Sequence, residues 1–332
     1  MRNTSVVLTA LGGPEVLKVV EDDIRDPGAN EVRVRILAAG VAFADVLMRY
    51  GMYPGAPKPP FVPGYEIAGV VESCGPGDSS WKAGDYVAAL TQVGGYSRFI
   101  VLPAAELVRI PEGLDPSEAV SLVLNYSTAY QLIHRIARLS HGDSVLIHGA
   151  AGGVGTAALQ LGAIAGLKMF GTASKAKLDL VASLGGIPID YRAEDFVARA
   201  GGVDAVFDAI GGRNWWRSYR ALGKGGRLIA YGLSAGIEGR RKNVALAGAS
   251  FVMLTALRLL PGKSARWYSM TTEKTKHPEW LPEDLARLLA MLRDRSIHPV
   301  IAERLPLSGA ARAHELLERA SVSGKIVLMC QE

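Results

Sequence analysis

Hydrophobic and polar positions change their rhythm twice along the chain. Up to about residue 120 the apolar residues come in short runs bounded by Gly and Pro, which predicts strands at Glu31–Leu37, Ile67–Glu72, Tyr86–Leu90 and Tyr96–Leu102. The stretch Tyr53–Pro63 carries five prolines and is expected to be extended loop. From Pro116 to Arg138 the period becomes helical. After Asp143, short apolar strands alternate with amphipathic segments, as a parallel sheet with crossover helices requires. The predicted strands are Ser144–His148, Lys168–Thr172, Ile187–Asp190, Val203–Asp208 and Gly226–Tyr231. The helices between them are Gly153–Ala165, Lys175–Leu184 and Asn214–Leu222. The pattern is α/β, a doubly wound parallel sheet over residues 123–265.

A further helix, Leu281–Arg295, precedes Ser308–Ala320 and a terminal strand, Lys325–Met329. That piece is too short to fold alone. It is expected to rejoin the first domain, so residues 1–122 and 266–332 form one unit into which 123–265 is inserted. The segment Pro261–Trp280, with Trp267, Tyr268 and Trp280, fits neither period. It reads as a loop, over a cleft or at a subunit contact.

Composition narrows the function. A chain of 332 residues allows about two domains, and 49% hydrophobic with 21% charged residues is an ordinary globular mixture. The net charge of +5 has no long basic block behind it. Nucleic acid is therefore not an expected partner, and Arg240, Arg241 and Lys242 read as a solvated loop. Cys74 and Cys330 are too few for a disulfide framework and too far apart for a zinc or redox motif. With no apolar run behind Arg2 to read as a targeting segment, a reducing, cytoplasmic setting is expected. The 38 glycines are unevenly spread. Between Asp143 and Lys168 lie 24 residues without an acidic residue, Lys or Arg, six of them glycine. By length that stretch is a membrane span or a dinucleotide site.

The order of residues decides. Strand Ser144–His148 runs into Gly149-Ala-Ala-Gly-Gly-Val-Gly155 and then into a helix. Pyrophosphate oxygens must approach backbone N–H groups at a helix N-terminus, and a Cβ there would hold them off. No membrane span is expected. The second strand ends in Gly171-Thr-Ala-Ser174 and continues through Lys175 and Lys177, with no carboxylate to accept ribose hydroxyls. A hydroxyl and two ammonium groups suit a ribose phosphate, so NADPH is expected in preference to NADH.

These residues resemble a known family. The glycine turn, Gly171–Ser174, Ile189–Arg192 and Val203–Gly212 are similar to the zinc-independent quinone oxidoreductases of the medium-chain dehydrogenase/reductase superfamily. Gly40–Asp45, Gly64–Gly69, Tyr231–Ala235 and Ser323–Val327 extend the likeness over nearly the whole chain. Asn125–Tyr130 and Ile189–Tyr191 also resemble the vesicle amine transport protein branch. The resemblance implies a Rossmann sheet inserted into a β-rich GroES-like catalytic domain, and a homodimer. It implies Thr128 beside the nicotinamide and Ala151, Gly152, Gly153 and Val154 under the pyrophosphate. Thr172, Ser174, Lys177 and Tyr191 would surround the adenosine and its 2′-phosphate, and Gly232 and Leu233 would meet the carboxamide. Tyr53 matches the substrate-pocket tyrosine; it either donates a hydrogen bond or proton or is wedged against the proline-rich loop. Asp45 matches a superfamily aspartate, with a capping or internal hydrogen-bonding role favoured.

Zinc-dependent relatives place Cys and His where this chain has Ala42 and Tyr65. The histidines show no ligand spacing beyond His134, His141 and His148, which fall on three different elements. No zinc is expected. Lacking a Lewis acid, the site suits acceptors whose reduction gives a hydroquinone anion or an enolate, so hydride transfer from NADPH to a quinone or α,β-unsaturated carbonyl is expected. An Asn and a Tyr of the family become Ala42 and Leu47, which makes the pocket more apolar and opens a second reading, a non-catalytic NADPH-binding sensor or scaffold. A remote third is a serine hydrolase, since Gly232–Gly236 fits a GxSxG elbow at Ser234, with Asp294 and His298 following.

Overall fold

The computed structural model describes residues 1–77, 80–238 and 241–331, so Arg240 of the basic triplet lies outside the described residues. The chain divides into two compact units, Met1–Leu124 with Leu285–Glu332, and Asn125–Asp284.

In the first unit a seven-stranded sheet runs in the order Ile301–Pro306, Lys325–Met329, Glu31–Val41, Glu66–Cys74, Tyr86–Leu90 and Val108–Arg109, and Phe99–Pro103 also pairs with Glu31–Val41. The C-terminal strand lies antiparallel to Glu31–Val41, with Ile326 opposite Val41. Inward positions alternate, and Val32, Val34, Ile36, Ile67, Val71, Val87, Ile326 and Leu328 form the core. Arg2–Leu8 and Leu17–Asp23 make a separate antiparallel ribbon that the sequence pattern did not predict; the second strand is almost wholly exposed and polar.

The second unit is built on six parallel strands. Across the sheet they run Ile187–Asp190, Lys168–Ala173, Ser144–His148, Val203–Asp208, Leu222–Ala230 and Ser264–Trp267. In chain order this is third, second, first, fourth, fifth, sixth, the doubly wound Rossmann arrangement, with its switch point between Ser144–His148 and Val203–Asp208. The five predicted strands are all present. The core sets Leu146, Val206 and Leu228 against Trp215, Leu254 and Leu257.

The reading of Pro261–Trp280 as a loop is corrected. Ser264–Trp267 is the sixth strand and Met270–Lys276 is a helix. An edge strand need not be apolar on both faces, and Arg266 in the middle of this one pairs with Glu273 at 2.8 Å. A boundary at 265/266 would cut that strand, whereas the units part between Asp284 and Leu285. The helix Val244–Arg258 was also unforeseen. It is apolar around most of its circumference, with Val244, Phe251 and Val252 exposed, so it has no polar face to reveal a period. The predicted helix from Pro116 is continuous to Ile136 but widens to π-helical turns at Leu122–Tyr126 and Gln131–Ile136.

Candidate active site

Parallel strands point their C-terminal ends the same way, so the turns that follow them share one edge of the sheet. Ala151–Val154, Ser174, Lys177, Tyr191, Gly232 and Leu233 all follow strand ends at that edge. Gly149 leaves the first strand at φ +66°, and Gly152, in extended conformation, starts the helix Gly153–Ile164. No side chain caps this helix and its first turn holds no acidic residue. Two of the glycines are closely hemmed in, Gly155 by backbone. A Cβ on Gly153 would lie 2.1 Å from Asn125 Nδ2, and one on Gly155 would lie 2.4 Å from the Gly149 carbonyl oxygen and 2.6 Å from Ala150 Cα. An uncapped N-terminus, opened by glycines and free of carboxylate, fits a pyrophosphate. Asn125, 7% exposed and packed on Gly153, was missed as part of this turn; only the contact across the unit reveals it.

Beyond the second strand, Ser174 precedes a single turn, Lys175–Lys177. Lys177 is half-buried, and that burial lowers its affinity for the proton; a neighbouring anion would reverse the effect. Tyr191 follows the third strand with half its surface exposed. Thr172 closes the second strand from inside the sheet. It is 3% exposed, and its hydroxyl is bonded to His148 Nδ1 at 3.0 Å. Gly232 faces Ala209, where a Cβ would approach the carbonyl oxygen to 2.9 Å. Leu233 is buried against Gly211. Ser234 opens a 3-10 turn followed by the two-residue strand Ile237–Glu238, not a helix. The strand-to-helix elbow that a hydrolase needs is therefore not formed.

Thr128, 4% exposed, is hydrogen-bonded to the Tyr268 side chain. The Tyr268 hydroxyl donates to Gln131 Oε1 at 2.8 Å, Gln131 donates to Asp284 at 2.9 Å, and Arg135 closes on Asp284 at 2.6 Å. Tyr268 was overlooked because it follows the strand that the sequence hid.

In the first unit Tyr53 is half-buried, and its hydroxyl lies 2.5 Å from that of Tyr65, which is 2% exposed. Asp45 is fully buried. Its carboxylate accepts from the N–H groups of Ala42 at 2.9 Å and Gly64 at 3.1 Å and from the Tyr96 hydroxyl at 3.1 Å. Burial pushes this carboxyl up to about 7, against the pull of the two backbone donors. His314, bonded to Tyr96, is driven by burial down to about 3 and is neutral. Glu66 and Lys325 form a buried ion pair, and the second Glu66 oxygen accepts from Leu124 N–H at 2.8 Å. Burial holds the Glu66 carboxyl above its ordinary value despite Lys325. Among the described residues no three His, Cys, Asp or Glu side chains are grouped to hold a metal ion. Ala42 and Tyr65 present neither thiolate nor imidazole.

A doubly wound dinucleotide-type sheet inserted in a β-rich unit defines a dehydrogenase/reductase architecture. Residues 28–112 match the alcohol dehydrogenase GroES-like domain, and residues 186–328 match a domain described as zinc-binding dehydrogenase. The chain is 33% identical to the human synaptic vesicle membrane protein VAT-1 homolog, over 98% of this chain and 86% of that protein. The Escherichia coli quinone oxidoreductase complexed with NADPH superposes with a TM-score of 0.87 at 30% identity, covering 98% of this chain and 99% of that one. The CurK enoyl reductase does so with 0.83 at 25% identity, over 98% and 99%. The chain belongs to the quinone oxidoreductase and VAT-1 homologue branch of the medium-chain dehydrogenase/reductase superfamily.

Proposed function

We propose that the protein is a zinc-independent, NADPH-dependent oxidoreductase acting on quinones or α,β-unsaturated carbonyls. The observation that carries this reading is the uncapped helix at Gly153, opened by a glycine turn in which a Cβ on Gly155 would collide with the turn's own backbone. The NADPH complex of the Escherichia coli relative and the enoyl reductase relative support the cofactor and the acceptor class. Ala151, Gly152, Gly153 and Val154 hold the pyrophosphate through backbone N–H groups. Ser174 and Lys177 take the 2′-phosphate, the Tyr191 ring covers the adenosine, and Thr172 supports the strand end from inside the sheet. Thr128, Gly232 and Leu233 orient the nicotinamide, with Tyr268 fixing Thr128. When bound, the reduced nicotinamide supplies the hydride. Tyr53 supplies the proton to the anionic oxygen that results. The name of the second matched domain notwithstanding, the residues at 42 and 65 do not suit zinc, and a polar donor replaces the Lewis acid.

A homodimer belongs to the proposal, supported by the apolar face that Val244, Val252 and Leu259 expose. So does a reducing cytoplasm, supported by the free thiols of Cys74 and Cys330.

Lys177→Ala tests the cofactor assignment. A lysine–phosphate contact is worth about 1.5–3 kcal/mol. The KM for NADPH should therefore rise roughly 10- to 100-fold while that for NADH stays nearly constant; equal effects on both sink the assignment. NADPH binding without turnover on any quinone or enone would leave a cofactor-binding sensor instead.

A further inference from the structure

We propose that Tyr65 is the positioning residue for Tyr53, donating its buried hydroxyl hydrogen to Tyr53 Oη so that the Tyr53 hydrogen is presented to the acceptor oxygen. This rests on the oxidoreductase reading above. The two hydroxyls lie 2.5 Å apart and the rings meet edge-on, with centroids at 5.8 Å and planes at 77°. A hydroxyl carries one hydrogen, so in such a pair only one member donates inward. Tyr53 is half-buried on its loop and keeps part of its surface accessible, whereas Tyr65 is enclosed. Accepting from Tyr65 polarises the Tyr53 O–H and makes it a better donor.

The backbone under Tyr65 is built to keep this geometry. Its carbonyl accepts from Thr91 N–H at 3.0 Å and Gln92 N–H at 3.2 Å, and the Thr91 hydroxyl donates to the Gly64 carbonyl at 2.7 Å. Gly64, at φ +111°, gives its N–H to Asp45, which also holds Ala42 N–H. One buried carboxylate thus brings the chain at 42 beside the chain at 64. Position 42 has no polar side chain here, and neither does Leu47. Tyr65, next to Gly64, supplies a polar group from the segment that Asp45 ties to position 42.

With NADPH bound, its nicotinamide would supply a hydride, and the reduced acceptor would be a hydroquinone monoanion or an enolate. The Tyr53 O–H bond breaks, an O–H bond forms on the acceptor, and the charge left on Tyr53 Oη is held by the hydrogen bond from Tyr65 until water returns a proton.

The test compares wild type, Tyr65→Phe, Tyr53→Phe and the double variant, with 1,4-naphthoquinone and 2-cyclohexenone as acceptors. Tyr65→Phe should lower kcat about tenfold with KM for NADPH within about twofold, since a hydrogen bond to a charged group is lost while the ring remains. Because Tyr65 acts through Tyr53, it should lower kcat no further in the Tyr53→Phe background. A loss that persists there marks a merely structural tyrosine and overturns the proposal, as does an unchanged kcat in Tyr65→Phe. Thermal unfolding of the same four proteins reads the pair without turnover. Each single variant should fall by about 2–4 °C, and the double by no more than the larger single fall; additive falls overturn the pairing. If wild type reduces neither acceptor, the oxidoreductase reading fails and Tyr65's role with it, whatever the melting curves show.

Discussion

The sharpest perturbation of the cofactor turn is Gly155→Ala, because the added atom has nowhere to go. Its Cβ would stand 2.4 Å from the Gly149 carbonyl oxygen and 2.6 Å from both Cα and the carbonyl oxygen of Ala150, where 3.4–4 Å is ordinary contact. All three atoms are backbone, and all belong to the turn itself, so no side chain can swing aside. The turn must retreat by about 1 Å from the helix. A charge-assisted N–H···O bond at about 2.8 Å is lost at about 3.8 Å. Two such bonds, at about 1.5 kcal/mol or more each, make a loss near 3 kcal/mol, or roughly a 100-fold rise in the Kd for NADPH.

Calorimetric titration with NADPH at 25 °C measures this directly. Gly162→Ala is the matched control on the same helix. Its Cβ would meet Met169 Sδ at 2.3 Å, a clash with a flexible thioether that can move, so affinity should stay within about twofold of wild type. If folded Gly155→Ala binds NADPH within about threefold of wild type, the turn does not hold the pyrophosphate. If Gly162→Ala loses as much affinity as Gly155→Ala, helix packing explains the loss and the phosphate argument fails.

Other expectations are independent of the turn. Lys325→Met should lower stability by about 3–5 kcal/mol in urea unfolding at pH 8 by orphaning the buried Glu66 carboxylate, and Glu66→Gln added to it should recover most of the loss. That deficit should shrink toward pH 5, where protonation neutralises the carboxyl; equal deficits at both pH values contradict it. Asp45 has a folded value of about 7 against 3.8 for the free group, so its contribution is fully present below about 3.8 and is lost as pH rises through about 7. Wild-type stability should accordingly fall more steeply than that of Asp45→Asn over this range, with parallel curves counting against the assignment. Treatment with a zinc chelator should leave quinone reduction unchanged, and a loss that added zinc restores would refute the metal-free reading.

The parts of this fold that the sequence revealed are those whose signal is local. Ser144–His148 and Val203–Asp208 are buried on both faces and read as short, mostly apolar runs, and the glycine turn announces itself by spacing. What stayed hidden lacks a contrasting face. Ser264–Trp267 lies at the sheet edge with Arg266 in its middle, and Val244–Arg258 is apolar around most of its circumference. Both lie beyond the fifth strand, so Tyr268 and its bond to Thr128 were hidden with them. The Tyr53–Tyr65 pair and the bridging role of Asp45 depend on which side chains meet, which periodicity does not encode. Tyr65 was visible only as a histidine position filled by something else.

Thr172 belongs to a buried hydrogen-bonded chain that the glycine motif does not encode. The Ser218 hydroxyl donates to Asp208 at 2.6 Å, so at 3.0 Å from His148 Nε2 it must accept. Burial lowers the affinity of His148 for a proton, and a neutral imidazole that donates from Nε2 accepts at Nδ1, where the Thr172 hydroxyl donates. The hydrogens therefore run one way, from Thr172 through His148 and Ser218 to Asp208. Asp208 also accepts from Ile210 N–H at 2.7 Å and Gly211 N–H at 3.3 Å, and Ala150 N–H donates to the Thr172 carbonyl at 3.0 Å. One buried chain thus ties together the turns after the first, second and fourth strands, two of which flank the switch point. Such a chain fixes the turns before any ligand arrives, which is what preorganisation requires of a binding site. Thr172 and His148 hold the position of the turn's N–H groups from beneath it.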